Sequence, residues 1–116
     1  MIKLYGIPNC DTVKKARTWL ANHQIEVEFH DFKKQGLTAE KAQRWLQQSA
    51  WEQLINRKGL TWRGLGDEQK TIRDNAAAQQ LMLDKTSVIK RPLLEKHGKL
   101  LHIGFDEAVY TKIFNL

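Results

Sequence analysis

The chain holds a single cysteine, Cys10, among its 116 residues. It follows Ile2-Lys3-Leu4-Tyr5, a short apolar strand signal, and Gly6-Ile7-Pro8-Asn9, a turn. A helical pattern opens directly after it. The thiol therefore falls at the turn that begins the first helix. A helix start carries free backbone N–H groups and partial positive charge, which favour an anion. Such surroundings promote the thiolate, the nucleophilic form of cysteine. The alternative is a small cysteine that only packs, and the neighbouring Asp11 carboxylate opposes thiolate formation. The chemistry in view is nucleophilic attack by sulfur. With one cysteine no internal disulfide can form.

Partners for such a sulfur are cations and hydrogen-bond donors. Arg91 precedes Pro92 at the start of an apolar run. The guanidinium could pair with a thiolate, an oxyanion or a carboxylate through a fixed fork. The proline is either a plain strand starter or the site of a cis peptide. Arg57, in Leu54-Ile55-Asn56-Arg57-Lys58-Gly59, reads as the end of a helix, where a cation also offsets the dipole. Asn9 either orients the thiol or caps the helix. Thr12 either donates a hydrogen bond to the sulfur or is an ordinary first-turn residue. His23, His30, His97 and His102 show no metal-ligand spacing, and His102 sits near the end of a strand. No Ser/His/Asp set, phosphate loop or carboxylate pair stands out.

The elements that would position these residues follow from periodicity. Residues 2–5 form a strand. Val13, Ala16, Trp19 and Leu20 recur at helical spacing over residues 12–23. Residues 25–32 alternate, with Ile25, Val27 and Phe29 on one face, as a half-buried strand does. A right-handed crossover makes these two strands a parallel pair. Thr38 caps a helix bearing Ala42, Trp45 and Leu46. A shorter helix with Trp51, Leu54 and Ile55 runs to about Lys58-Gly59, and a loop holds Trp62. Asp74 or Asn75 caps a helix with Ala76, Ala77, Leu81 and Met82. Pro92–Glu95 and Leu100–Ile103 form a hairpin around a Gly98 turn, and Asp106 caps a final helix. The expected class is α/β, a thioredoxin-like fold with a mixed four-stranded sheet. Residues 1–116 form one domain, with a helical insertion at about 36–84. In that fold Pro92 is cis and faces Cys10, with Arg91 beside it.

Composition sets the remaining bounds. A 41% hydrophobic, 28% charged chain is ordinary for a globular domain. No apolar run suits a membrane helix, and no signal segment opens the chain, so the cytoplasm is expected. The net charge of +6 suits anionic ligands such as an oxyanion or an acidic peptide like glutathione. The basic residues are scattered, and no direct nucleic-acid binding is expected.

Five pieces together carry a family resemblance: Tyr5-Gly6-Ile7-Pro8-Asn9-Cys10-Asp11-Thr12, Lys14-Lys15-Ala16, Ile55-Asn56-Arg57, Ile89-Lys90-Arg91-Pro92-Leu93, and Ile103-Gly104-Phe105. In this order the chain resembles the glutaredoxin-coupled arsenate reductases and the related Spx-type regulators, most closely their YffB-like branch, to which glutathione-dependent thiol reduction is attributed. The resemblance implies that Cys10 is the nucleophile and that Arg57 and Arg91 hold an oxyanion. Asn9, Thr12, Arg57, Arg91, Pro92 and His102 would contact substrate or glutathione. It implies no bound cofactor or metal, with glutathione as co-substrate and glutaredoxin as a possible partner. His102 stands where arsenate reductases carry a third arginine, which weakens the case for arsenate. Val13 stands where many Spx-type proteins carry a second cysteine, which disfavours a redox-switched regulator. A thiol reductase is the leading expectation. A regulator that binds the RNA polymerase α subunit and a true arsenate reductase are the alternatives.

Overall fold

The computed structural model describes all 116 residues. Strand β1 (Ile2–Gly6) lies inside the sheet, flanked on both sides. It pairs in parallel with β2 (Glu28–Asp31) and antiparallel with β3 (Leu93–Lys96), and β3 pairs antiparallel with β4 (Lys99–Ile103). The order is β2-β1-β3-β4, a mixed four-stranded sheet. Helix α1 (Asp11–Asn22) makes the crossover from β1 to β2. The β3–β4 connection is a two-residue hairpin in which His97 and Gly98 both take positive φ, 51° and 81°. That pair of left-handed residues matches the twist of a tight hairpin. This is the α/β, thioredoxin-like arrangement expected above.

Two compact units account for the chain: Met1–Gln35 with Arg91–Leu116, and Gly36–Lys90. The first holds the sheet. On one sheet face, Leu4 and Leu94 meet Ala16, Trp19 and Leu20 of α1 and Tyr110 of the last helix, α8 (Glu107–Ile113). The spacing of Val13, Ala16, Trp19 and Leu20 places all four on the buried stripe of α1. Tyr110 is fully buried, with its ring edge-on to Trp19 and Phe105 at centroid distances of 5.5 and 4.8 Å. Asp106 caps α8 by accepting from the Val109 N–H at 3.1 Å. Tyr5 and Glu95 follow Leu4 and Leu94 and point the other way. There the Tyr5 hydroxyl donates to Glu95 Oε1 at 2.9 Å.

The second unit is helical: α3 (Ala39–Gln48), α4 (Trp51–Leu54), α5 (Leu60–Arg63), α6 (Asp67–Lys70) and α7 (Asn75–Asp84), whereas α2 (Phe32–Gln35) ends the first segment of the first unit. Thr38 caps α3 and Asp74 caps α7 through side-chain oxygens that accept from Lys41 and Ala77 N–H groups. Helices α3 and α7 are tied by the Gln79 amide donating to the Ala39 carbonyl at 3.0 Å, and both bury apolar stripes. No helix is long and apolar enough to cross a membrane.

Four local expectations are corrected. Strand β2 begins at Glu28 and not at Ile25, because the Ile25 N–H is taken by the Leu20 carbonyl at 2.9 Å. Helix α4 stops at Leu54. Ile55 instead turns extended and bridges antiparallel to Ile89, with Asn56 N–H to Val88 C=O at 2.7 Å. Arg57 therefore does not end a helix, and it has no dipole to offset. The segment around Trp62 is not a plain loop: α5 and α6 are single turns that start after the extended residues Gly59 and Gly66.

Candidate functional site

Cys10 is the N-cap residue of α1, with extended backbone (φ −144°, ψ 123°). Its carbonyl accepts the Lys14 N–H at 2.9 Å, the first bond of the helix. Its side chain makes no capping bond. The sulfur is thus half-buried, free and placed at the positive end of a twelve-residue helix, without being spent on holding that helix. Asn9, considered above as a cap, precedes the N-cap and is exposed, as is Thr12 in the first turn.

Gly6 fixes how β1 delivers the chain to this cap. A Cβ at Gly6 would stand 2.8 Å from Val13 Cγ2, and Val13 is fully buried. Strand and helix approach too closely there for any side chain on residue 6.

Arg91 and Pro92 arrive at the same sheet end. Tyr5 registers with Leu93 in the antiparallel β1–β3 pair, so the residues before Leu93 lie alongside Gly6, where the chain leaves for Cys10. The Arg91–Pro92 peptide is cis. Pro92 is buried and Arg91 half-buried. The Pro92 carbonyl accepts the Gly104 N–H at 2.8 Å, which draws the end of β4 to the same place.

His102 registers with Leu94, next to a bulge in the β3–β4 ladder. Its ring lies edge-on to Tyr110 at 5.9 Å. Burial holds its imidazole toward the neutral form, below the ordinary value of 6.5, with Asp106 pulling the other way. A histidine in this setting supplies a weaker fixed charge than an arginine would.

Arg57 belongs to the helical unit. It is exposed, with its guanidinium over the Trp51 ring at 5.2 Å. No group of His, Cys, Asp and Glu residues is arranged to hold a metal ion. The buried Tyr5–Glu95 pair was missed by the sequence reasoning. Period-two alternation from Leu94 does put Glu95 on the face of Tyr5, but nothing local tells of the tyrosine across the ladder.

Comparison with known proteins places this geometry in a family. The solved structure of the YFFB protein is 44% identical, with a TM-score of 0.91, over 97% of each chain. An arsenate reductase related protein from Brucella melitensis is 50% identical, with a TM-score of 0.77, over 99% of this chain and 95% of that one. The global transcriptional regulator Spx of Lactiplantibacillus plantarum is 28% identical over 109 residues, 92% of this chain and 81% of the regulator. The ArsC family model matches residues 5–113, a span that takes in the cysteine cap, the Arg91–Pro92 peptide and the last helix, and the chain belongs to the ArsC family.

Proposed function

We propose that this ArsC-family chain is a thiol-dependent oxidoreductase that works with one cysteine and borrows its second thiol from glutathione. The observation that carries the reading is the free Cys10 sulfur at the α1 N-cap, uncommitted to capping. The Cys10 thiolate attacks the glutathione-side sulfur of a mixed disulfide. A new S–S bond forms between Cys10 and glutathione, the substrate's S–S bond breaks, and the substrate thiolate leaves and takes up a proton. A second glutathione, as thiolate, then attacks the Cys10 adduct, restoring Cys10 and releasing oxidised glutathione. The substrate is reduced by two electrons, and glutathione is oxidised. Glutaredoxin is an alternative donor for the second step.

Arg91 shares the sheet end with the loop to Cys10 and is suited to hold a carboxylate or oxyanion near the reacting sulfur. The role of Arg57 in anion binding rests on the family resemblance. A role for residue 102 in oxyanion binding rests on the family resemblance, and a histidine there, held toward neutrality by burial, suits a sulfur substrate better than an oxyanion such as arsenate.

The test is mass spectrometry of the protein incubated with oxidised glutathione, paired with turnover of a glutathionylated peptide. One glutathione adduct on Cys10, absent from Cys10→Ser, is expected, and Arg91→Ala and Arg57→Ala should each lower turnover about tenfold or more. An unmodified Cys10 together with no turnover overturns the reading.

A second reading has its own support in the Spx relative, which spans 92% of this chain. As the Spx-type resemblance implies, the chain would then bind the RNA polymerase α subunit. Retention on the immobilised C-terminal domain of that subunit, with no adduct on Cys10, would favour it. Arsenate-dependent turnover in a glutathione/glutaredoxin-coupled assay would instead favour arsenate reduction.

A further inference from the structure

Two motifs of the sequence, Lys14-Lys15-Ala16 and Ile103-Gly104-Phe105, supply no side chain to the chemistry above. The fold brings them together. A groove of about 390 Å³ has Lys14, Lys15, Thr18 and Asn22 of α1 along one wall and Phe105 and Glu107 on the other. It is shallow and open to solvent, with Trp19 at its floor. Both walls grow from the region of Cys10. Lys14 lies one helical turn, about 6 Å, beyond it, and Phe105 follows Gly104, which is bonded to Pro92.

The lining has the chemistry of a peptide cradle. Lys14 and Lys15 are exposed, and Asp11 is the one acidic residue of α1. Arg17 of the same helix is turned elsewhere, its guanidinium 4.1 Å from the Phe29 ring centroid. Phe105 is half-buried and braced edge-on against Tyr110 at 4.8 Å, which fixes an apolar surface between the charges. Thr18 and Asn22 offer donors and acceptors for a backbone. From Lys14 to Asn22 the helix advances about 12 Å, the span of three to four extended residues at about 3.3 Å each.

We propose that this groove docks an acidic polypeptide segment, so that the substrate class of Cys10 is a protein or peptide whose oxidised sulfur is flanked by acidic and apolar residues. The substrate assignment rests on the reading of Cys10 as the reacting group, whereas the docking itself does not. An acidic side chain meets Lys14 and Lys15, and an apolar one lies on Phe105. Glu107 rejects a further acid at its wall and so limits the run of negative charge.

The docking is tested with cysteine-free, capped tetrapeptides, Glu-Glu-Phe-Gly against Lys-Lys-Phe-Gly, titrated into the whole ¹⁵N-labelled protein. The acidic peptide should shift the backbone amides of Thr18, Asn22 and Phe105 and bind at least tenfold more tightly than the basic one. Lys14→Glu with Lys15→Glu, both at exposed positions, should reverse that order. Shifts elsewhere, an equal response to both peptides, or an unchanged order in the double variant would overturn the docking site. Shifts that grow with protein concentration in the absence of peptide would assign the groove to a second copy of the chain and overturn it as well. The substrate class is tested separately with glutathionylated peptides bearing the same flanks. KM should be at least tenfold lower for the acidic flank with kcat little changed, and Lys14→Glu/Lys15→Glu should remove the difference. Equal KM values would overturn the substrate class. Absent turnover beside intact peptide binding would instead remove the reductase reading and leave the groove in place.

Discussion

His102 shows what one side chain's setting does to its charge. Burial favours the neutral imidazole, so the folded chain binds fewer protons there than the unfolded chain, whose histidine titrates near 6.5. The stability contributed by this group is present above pH 6.5 and lost as pH falls through the lower folded value. Asp106→Asn removes the carboxylate that opposes the shift and keeps a side-chain oxygen to cap α8. The His102 ring proton followed by NMR should titrate below 6.5 in the parent chain and lower still in Asp106→Asn. A midpoint above 6.5, or no response to the substitution, contradicts this account. The position of Cys10 was legible in the sequence, because a strand signal, a turn and a helical stripe bracket it within a dozen residues. The surroundings of His102 were not, since they depend on Tyr110 arriving from α8.

Among the elements, the junction of β1 and α1 carries the tightest constraint. Gly6→Ala sets a methyl 2.8 Å from a buried Val13 methyl, so strand or helix must move. Overpacking of this kind costs about 1–3 kcal/mol. Chemical denaturation should show that loss, and the rate of glutathione adduct formation on Cys10 should fall with it, because the same shift displaces the N-cap. Full stability in Gly6→Ala would mean the junction is looser than drawn. Helix starts were readable at Thr38 and Asp106, and to within one residue at Asp74, because a cap is a local bond between neighbours in sequence. The end of α4 was not. Ile55 leaves the helix to bridge Ile89, and a pairing across more than thirty residues leaves no periodic trace at Ile55. The single turns α5 and α6 escaped for the opposite reason: four residues are too few to establish a helical period.

At the level of the whole molecule, one thiol sets the stoichiometry of every oxidation. Treatment with diamide in the absence of glutathione should give a covalent dimer and no larger species on a non-reducing gel, and Cys10→Ser should give none. Bands beyond the dimer would show chemistry that a single cysteine does not allow. The general fold was open to sequence reasoning because its strand–helix–strand opening and its hairpin–helix close each lie in short stretches. The boundary at Lys90 was harder to place. The span from Asp84 to Lys90 holds a short 3-10 turn and an isolated bridge, neither of which has a repeating signature.

Strand β1 waits for a partner that is about ninety residues away along the chain. During synthesis, β1, α1 and β2 leave the ribosome before β3, and at that stage Leu4 and Tyr5 have a neighbouring strand on one side only. The other edge stays open until Leu93–Lys96 emerges, after all of Gly36–Lys90 has been made. An open apolar edge of this kind invites pairing with other nascent chains. The helical segment in between, Gly36–Lys90, sets how much chain must be made before that edge is covered.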